Sequence, residues 1–363
     1  RDGFGGIGVR ISVEDDEVRV ISVMHYTPAE RMGLKTDDVI TEIDGEPTKG
    51  MNQQQVVDKL RGPVDSTVDV TIRRAEESDP FVVSITRAHV VPETVNYRRE
   101  GDVGYFRIYS FNSETAESLK RAVADAEQEI GPRLRGLIID LRDNPGGLLN
   151  QSVAVSNLFL TEGRVVSTHG RHPDSHQYFE ASGDDITNGK PIVVLVDGNS
   201  ASAAEIVAAA LQDNRRAVVV GSNTYGKGTV QTVLPLPNQG EITLTWARFH
   251  APSGYTLHHL GVLPSICTST YRTADEVMRA LSERRLPMVP TDRRNIVKPD
   301  DTKGLEALRK TCPAREQENP IDLEVALRLV STPEMFASAV HLAEPPQLGQ
   351  SEPIDEDAPL LTQ

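Results

Sequence analysis

Three short segments carry residue types suited to nucleophilic acyl chemistry. In Asp197-Gly198-Asn199-Ser200-Ala201-Ser202-Ala203-Ala204-Glu205, small residues lie between an apolar strand and a helix. A serine at such a junction can project into a cleft beside free backbone N–H groups. Ser202 sits there, although Ser202 followed by Glu205 also spells a helix capping box that needs no catalysis. The second segment, Gly221-Ser222-Asn223-Thr224-Tyr225-Gly226-Lys227-Gly228-Thr229-Val230-Gln231, leaves another apolar strand. It nearly spells a phosphate loop. Gly228, however, replaces the hydroxyl residue that would hold magnesium, and a strand follows in place of the helix whose N-terminus would bind phosphate. A lysine between glycines can instead be desolvated, and burial lowers its pKa toward that of a working base. Gln231, four residues on, can orient the amine or simply be a polar surface residue.

The third segment is Leu141-Arg142-Asp143-Asn144-Pro145-Gly146-Gly147-Leu148. Paired glycines let backbone amides approach a ligand. Gly146 and Gly147 are thus candidate donors to a developing oxyanion, together with the N–H of Ala203. An ordinary strand-to-helix turn is the competing reading. Gly3 to Gly8 matches the dinucleotide GxGxxG spelling but precedes a strand, which removes that reading. It fits a peptide-carboxylate loop better. His258 and His259 are adjacent, so in a strand their side chains diverge, and no third ligand has metal spacing. Trp246 is expected on the apolar face of a hairpin.

These residues need elements to hold them. Residues 1–90 read as short β runs, Gly8–Val13, Glu17–Val23, Val39–Ile43, Val68–Arg73 and Phe81–Ile85, with one helix capped by Asn52 and bearing Val56, Val57 and Leu60. From Val103 the pattern becomes α/β: strands Val103–Ile108, Gly136–Leu141, Ile192–Val196 and Ala217–Val220 alternate with helices Thr115–Glu129, Gln151–Leu160 and Ala203–Gln212. The wholly apolar strands predict a parallel sheet buried on both faces. A hairpin follows, Thr229–Leu234 and Glu241–Phe249, turning at Asn238-Gln239-Gly240. Residues 276–343 read as a partly helical extension with helices over Ile321–Val330 and Pro333–Leu342, and residues 344–363 as a disordered acidic tail.

The chain has 363 residues, a formal charge of -15 and a sequence pI near 5.1. An acidic surface argues against nucleic acid as a partner, because binding it needs a basic stripe. No run of apolar residues is long enough to span a bilayer, and the start at Arg1, without initiator Met or signal peptide, reads as trimmed. Cys267 and Cys312 are the only cysteines; from their number alone, two thiols and one disulfide stay equally open.

Taken in order, these pieces resemble the carboxyl-terminal processing (tail-specific) serine proteases. That family runs PDZ domain, Asn-Pro-Gly-Gly turn, Ser-Ala-Ser-Ala block, then Thr-aromatic-Gly-Lys-Gly-x-Val-Gln, and all four stand here in sequence. The resemblance covers roughly residues 3–270, including Val103–Ile108 and Leu211-Gln212-Asp213. It implies Ser202 as nucleophile, 25 residues before Lys227 as general base, with Gln231 orienting the amine and Ala203, Gly146 and Gly147 supplying the oxyanion donors. It also implies an N-terminal PDZ domain over 1–90 and a Ser/Lys protease core of the crotonase-like or Clp-like spiral α/β kind over 91–275.

By the same resemblance, Gly6, Ile7, Gly8 and Val9 would hold a substrate's C-terminal carboxylate, with the tail added as a strand beside Val56, Val57 and Leu60. Apolar C-termini would be preferred, and PDZ engagement would open the protease cleft. No metal or cofactor is implied. Export to the periplasm or cell envelope is implied, with the signal peptide outside this chain, which favours a Cys267–Cys312 bridge. A tetratricopeptide lipoprotein adaptor and a homo-oligomer are further implications. Two departures stand out: Ala204 replaces a common Ser, and Ser265 stands where the family commonly has Asp. The rivals are a PDZ peptide-binding protein on a silent core, which intact Ser202, Lys227 and Gln231 argue against, and a nucleotide-binding loop at Lys227.

Overall fold

The computed structural model describes residues 4–24, 27–235 and 240–343, so the expected tail over 344–363 and most of the hairpin turn lie outside the described residues. The chain divides into two compact units, residues 1–93 with 112–114, and residues 94–111 with 115–363.

The first unit contains β1 (Phe4–Gly6), β2 (Val9–Glu14), β3 (Glu17–Val23), α1 (Pro28–Arg31), β4 (Val39–Ile43), β5 (Glu46–Pro47), α2 (Gln53–Leu60), β6 (Thr67–Arg73), β7 (Phe81–Thr86) and β8 (Ala88–Val90). β1 pairs with β8, and the main sheet runs β2-β3-β4-β6-β7, which leaves β2 as an edge strand. Alternation along β6 buries Val68, Val70 and Ile72 under α2, whose Val56 and Leu60 join the same core. Asn52 caps α2 as the sequence suggests: its side chain accepts the Gln55 N–H while the Gln55 side chain accepts the Asn52 N–H.

The second unit contains β9 (Val95–Glu100), β10 (Val103–Ile108), α3 (Thr115–Ile130), β11 (Gly136–Asp140), α4 (Leu149–Asn157), β12 (Arg164–His169), β13 (Gln177–Glu180), β14 (Ile192–Val196), α5 (Ala203–Asp213), β15 (Val218–Gly221), β16 (Thr229–Pro235), β17 (Glu241–His250), β18 (Ile266–Cys267), α6 (Ala274–Ser282), α7 (Thr291–Ile296), α8 (Thr302–Arg309), α9 (Pro320–Ser331) and α10 (Pro333–Val340). Its central sheet runs β18-β15-β14-β11-β10-β9, parallel except for the β10–β9 pair. Period-two alternation sends Ile192, Val194 and Val196 to the face covered by α3, α4 and α5, and Val193 and Leu195 to the opposite face.

That second face is covered by α6, α9 and α10. The helical C-terminal residues expected as an extension thus pack against the central sheet, because the apolar undersides of β14 and β15 need a covering layer. The hairpin β16/β17 joins β12 and β13 in a separate four-stranded antiparallel sheet. The sequence reading did not anticipate β9, β12 and β13 or helices α6 to α8. Cys267 and Cys312 form a disulfide with Cα atoms 5.8 Å apart.

Candidate active site

Ser202 lies where β14 passes through a short loop into α5. It is the N-cap of that helix and holds φ 55°, ψ -115°. A β-carbon residue in this region is under backbone strain of about 1–3 kcal/mol and persists only where its surroundings fix it. They do so in several ways. Ala201 donates its N–H to Asn144 O at 2.9 Å, Ser200 Oγ donates to Leu141 O at 2.8 Å, and Asp143 donates its N–H to Asp197 Oδ1 at 3.0 Å. The Asn-Pro-Gly-Gly turn is thereby fastened to the loop carrying Ser202. Gly146 comes close enough that an added β-carbon would sit 2.7 Å from Ser202 Cβ and 2.6 Å from Ala201 O.

Glu205 is fully buried and joins this loop to the segment bearing Lys227. Its Oε2 accepts the Ser202 N–H at 2.8 Å and the Lys227 N–H at 2.9 Å. Its Oε1 accepts the Thr224 hydroxyl at 2.5 Å and the Gly226 N–H at 2.6 Å. Burial raises the pKa of this carboxyl, while the Thr224, Gly226, Ser202 and Lys227 donors oppose that rise. The capping-box spelling was visible in the sequence, but the wider role was not, since Thr224, Gly226 and Lys227 lie far along the chain. A further bond, Tyr225 N–H to Ser200 O at 3.0 Å, links the same two loops.

The oxyanion candidates separate on geometry. The Gly146 N–H is already donated to Asn144 Oδ1 at 2.8 Å. Gly147 forms a parallel bridge with Phe111 that uses the Gly146 carbonyl and the Leu148 N–H, leaving the Gly147 N–H on the opposite side. Of the three candidate donors, Gly146 is thus the one whose N–H is engaged within its own turn.

Lys227 is brought near Ser202 through its backbone alone. Its side chain is exposed, and among the described residues its Nζ makes no hydrogen bond or ion pair. The expected desolvation is therefore not met in this state, because Thr224, Gly226 and Glu205 fill the inner side of the loop and leave the lysine side chain outward. Gln231 is also exposed; it pairs with Thr245 in β17, beyond a register shift that skips Trp246. Trp246 lies on an exposed face with Ile242 and Leu244, beside the His172 ring.

The His258 and His259 rings meet at a tilt of 41° with centroids 3.8 Å apart instead of diverging, since His259 adopts φ 64° and breaks the extended run. Ser265 is buried, and its hydroxyl accepts hydrogen bonds from Gln212 Nε2 and the Val219 N–H, a packing role that needs no carboxylate.

In the first unit, Gly6, Ile7, Gly8 and Val9 form the turn that enters β2. Gly8 holds φ 88°, with Thr27 packed against it. The Ile7, Val56 and Leu60 side chains belong to the core, so of the proposed apolar wall only Val57 is partly open. Gln53 Nε2 reaches across to Ile11 O at 3.4 Å, which sets α2 alongside edge strand β2.

The profile of peptidase family S41 matches residues 102–268, and that of the PDZ domain matches residues 1–73. A "Carboxy-terminal-processing protease" of Bartonella bacilliformis is 41% identical over 264 residues, 72% of this chain and 61% of the relative. A "Probable CtpA-like serine protease" of Staphylococcus aureus is 34% identical over 74% of this chain and 53% of the relative. The chain thus spans about half to three fifths of the length of these relatives. A solved photosystem II D1 C-terminal processing protease shares 30% identity over 72% of each chain, with a TM-score of 0.44.

Proposed function

This chain belongs to peptidase family S41 and carries a PDZ domain at its N-terminus, and from that membership we propose that it is an exported serine endopeptidase using a Ser202/Lys227 dyad on proteins captured by their C-terminal tails. The observation that carries the reading is Glu205, whose one carboxylate holds the N–H groups of both Ser202 and Lys227.

In the proposed reaction neutral Lys227 takes the Ser202 proton, and Oγ attacks the peptide carbonyl carbon. The N–H groups of Ala203 and Gly147 receive the oxyanion. Collapse breaks the C–N bond, the amine leaves with the proton from Lys227, and water then hydrolyses the acyl ester. Lys227 is exposed here. A substrate chain laid across it would exclude water from the amine as it meets Ser202.

Edge strand β2 offers unpaired backbone groups for strand addition, and the Gly6–Val9 turn offers amides for a terminal carboxylate. Peptides with apolar C-termini are the ligands this arrangement suits, and the proposed setting is the bacterial periplasm or cell envelope. A tetratricopeptide adaptor and self-association remain part of the proposal. The exposed Lys227 side chain favours a second reading, PDZ peptide binding on a core at rest.

The test is degradation of an unfolded reporter with an apolar tail by the parent, Ser202→Ala and Lys227→Ala, with the reporter's C-terminal carboxylate free or amidated. Cutting by the parent alone, and weaker cutting of the amidated tail, supports the proposal. Tail binding without cutting supports the second reading, and cutting by both variants removes the dyad.

A further inference from the structure

A segment outside both matched regions grips the two catalytic loops. Arg309, the last residue of α8, donates from Nη1 to Thr224 O at 3.0 Å and to Leu260 O at 2.8 Å. Thr224 is the residue whose hydroxyl holds Glu205, and the Lys227 N–H binds the same carboxylate. Beyond α8 the chain crosses the Ser202 side. Arg315 O accepts the Gly198 N–H at 2.6 Å, Glu316 O accepts Asn199 Nδ2 at 3.1 Å, and Ser222 Oγ accepts the Arg315 N–H at 3.0 Å. The Cys267–Cys312 bridge pins this strap to β18 between the two sets of contacts.

We propose that Arg309 is a positioning residue for the Ser202/Lys227 reaction, setting the Lys227 loop from the C-terminal segment by holding the Thr224 and Leu260 carbonyls together. The inference rests on the Ser/Lys reading above. The chemistry suits arginine: a half-buried guanidinium can satisfy carbonyls on two loops at once, while a lysine ammonium is a compact point charge on a flexible stem. Without it, the Thr224 carbonyl loses its donor and Leu260 O keeps only Asn223 Nδ2 at 3.2 Å, the loop shifts, and Thr224 no longer presents its hydroxyl squarely to Glu205. The chemical step suffers while tail capture by the PDZ domain does not.

The test is steady-state cleavage of an apolar-tailed peptide by the parent, Arg309→Met, Arg309→Lys and Ser202→Ala, with thermal unfolding and peptide-binding titration of each. Misplacement of a catalytic loop by a fraction of an ångström to an ångström predicts a loss in kcat on the order of 100-fold for Arg309→Met. KM, tail affinity and Tm are expected to stay near the parent's, and Arg309→Lys to recover part of kcat. If Arg309→Met does not fold, Arg309→Lys decides alone, with kcat reduced at unchanged KM and Tm. A kcat within about two-fold of the parent, or a loss that follows only the unfolded fraction, overturns the inference. An inactive Ser202→Ala beside a fully active Arg309→Met rejects the arginine's role alone; a Ser202→Ala that cuts like the parent rejects the dyad and this proposal with it.

Discussion

Glu205 accepts the backbone N–H of Lys227 at 2.9 Å through the same oxygen that accepts the Ser202 N–H at 2.8 Å. One buried carboxylate therefore sets the spacing of the two chain segments that carry the proposed chemistry. Glu205→Gln keeps the volume but offers one acceptor oxygen and an NH2 group that faces N–H donors. A buried unsatisfied donor costs about 1–3 kcal/mol. We expect Glu205→Gln to lower stability by about that amount in urea unfolding, and to lower proteolysis further than the unfolded fraction explains. Parent-like proteolysis would show that the carboxylate only caps α5.

Gly147 is required by close approach. At φ 149° an added β-carbon would collide with Phe111 O. Gly147→Ala should cost about 1–3 kcal/mol through backbone strain and displacement of the turn. Its cleavage of a short peptide with an amidated C-terminus should drop with it. Unaltered urea unfolding would mean that the turn relaxes freely and fixes nothing.

Tail capture should separate from chemistry. Val57 is the partly open apolar residue on α2 beside edge strand β2. A charge there opposes burial of an apolar terminal side chain, so Val57→Lys should weaken fluorescent tail-peptide binding by about ten-fold. Labelling of Ser202 by a small fluorophosphonate should not change. Unchanged tail affinity would move the peptide site away from α2.

His169 and His250 should make the β12/β17 sheet sensitive to acid. Burial lowers both pKa values; His250, His176 and Arg164 press further on His169, while Arg248 presses on His250 against the Gly254 carbonyl. The His169 ring also meets Tyr178. Neutral imidazole is thus favoured in the folded chain. Between the lowered folded values and the ordinary value near 6.5 the unfolded chain binds more protons. Stability should fall as pH drops below about 6.5. His169→Gln should flatten that slope in thermal melts; an identical slope would assign the acid sensitivity to other groups.

What the sequence made legible was whatever local pattern controls. Asn52 announced α2, the apolar runs Ile192–Val196 and Ala217–Val220 announced buried parallel strands, and the Ser202 junction was placed by its small residues. Family matching then identified the S41 core and PDZ domain that the motif order resembles. Less legible was whatever depends on distant pairing. β9 and β13 have mixed polarity because they are edge strands, β12 carries polar Ser167 and Thr168 although it is buried, and the charged α6 and α8 disclose their apolar stripes only against the core. Glu205 looked like a cap because its other partners come 19 to 22 residues later. The outward Lys227 side chain had no sequence signal at all.

The most direct test of the dyad is intact-mass analysis after reaction with a fluorophosphonate, followed by peptide mapping, on the parent and Lys227→Ala. The account predicts a single adduct on Ser202 in the parent, formed faster when an apolar-tailed peptide is present, and on the order of 100-fold slower in Lys227→Ala. An adduct on another serine, or equal rates in the two proteins, would contradict it.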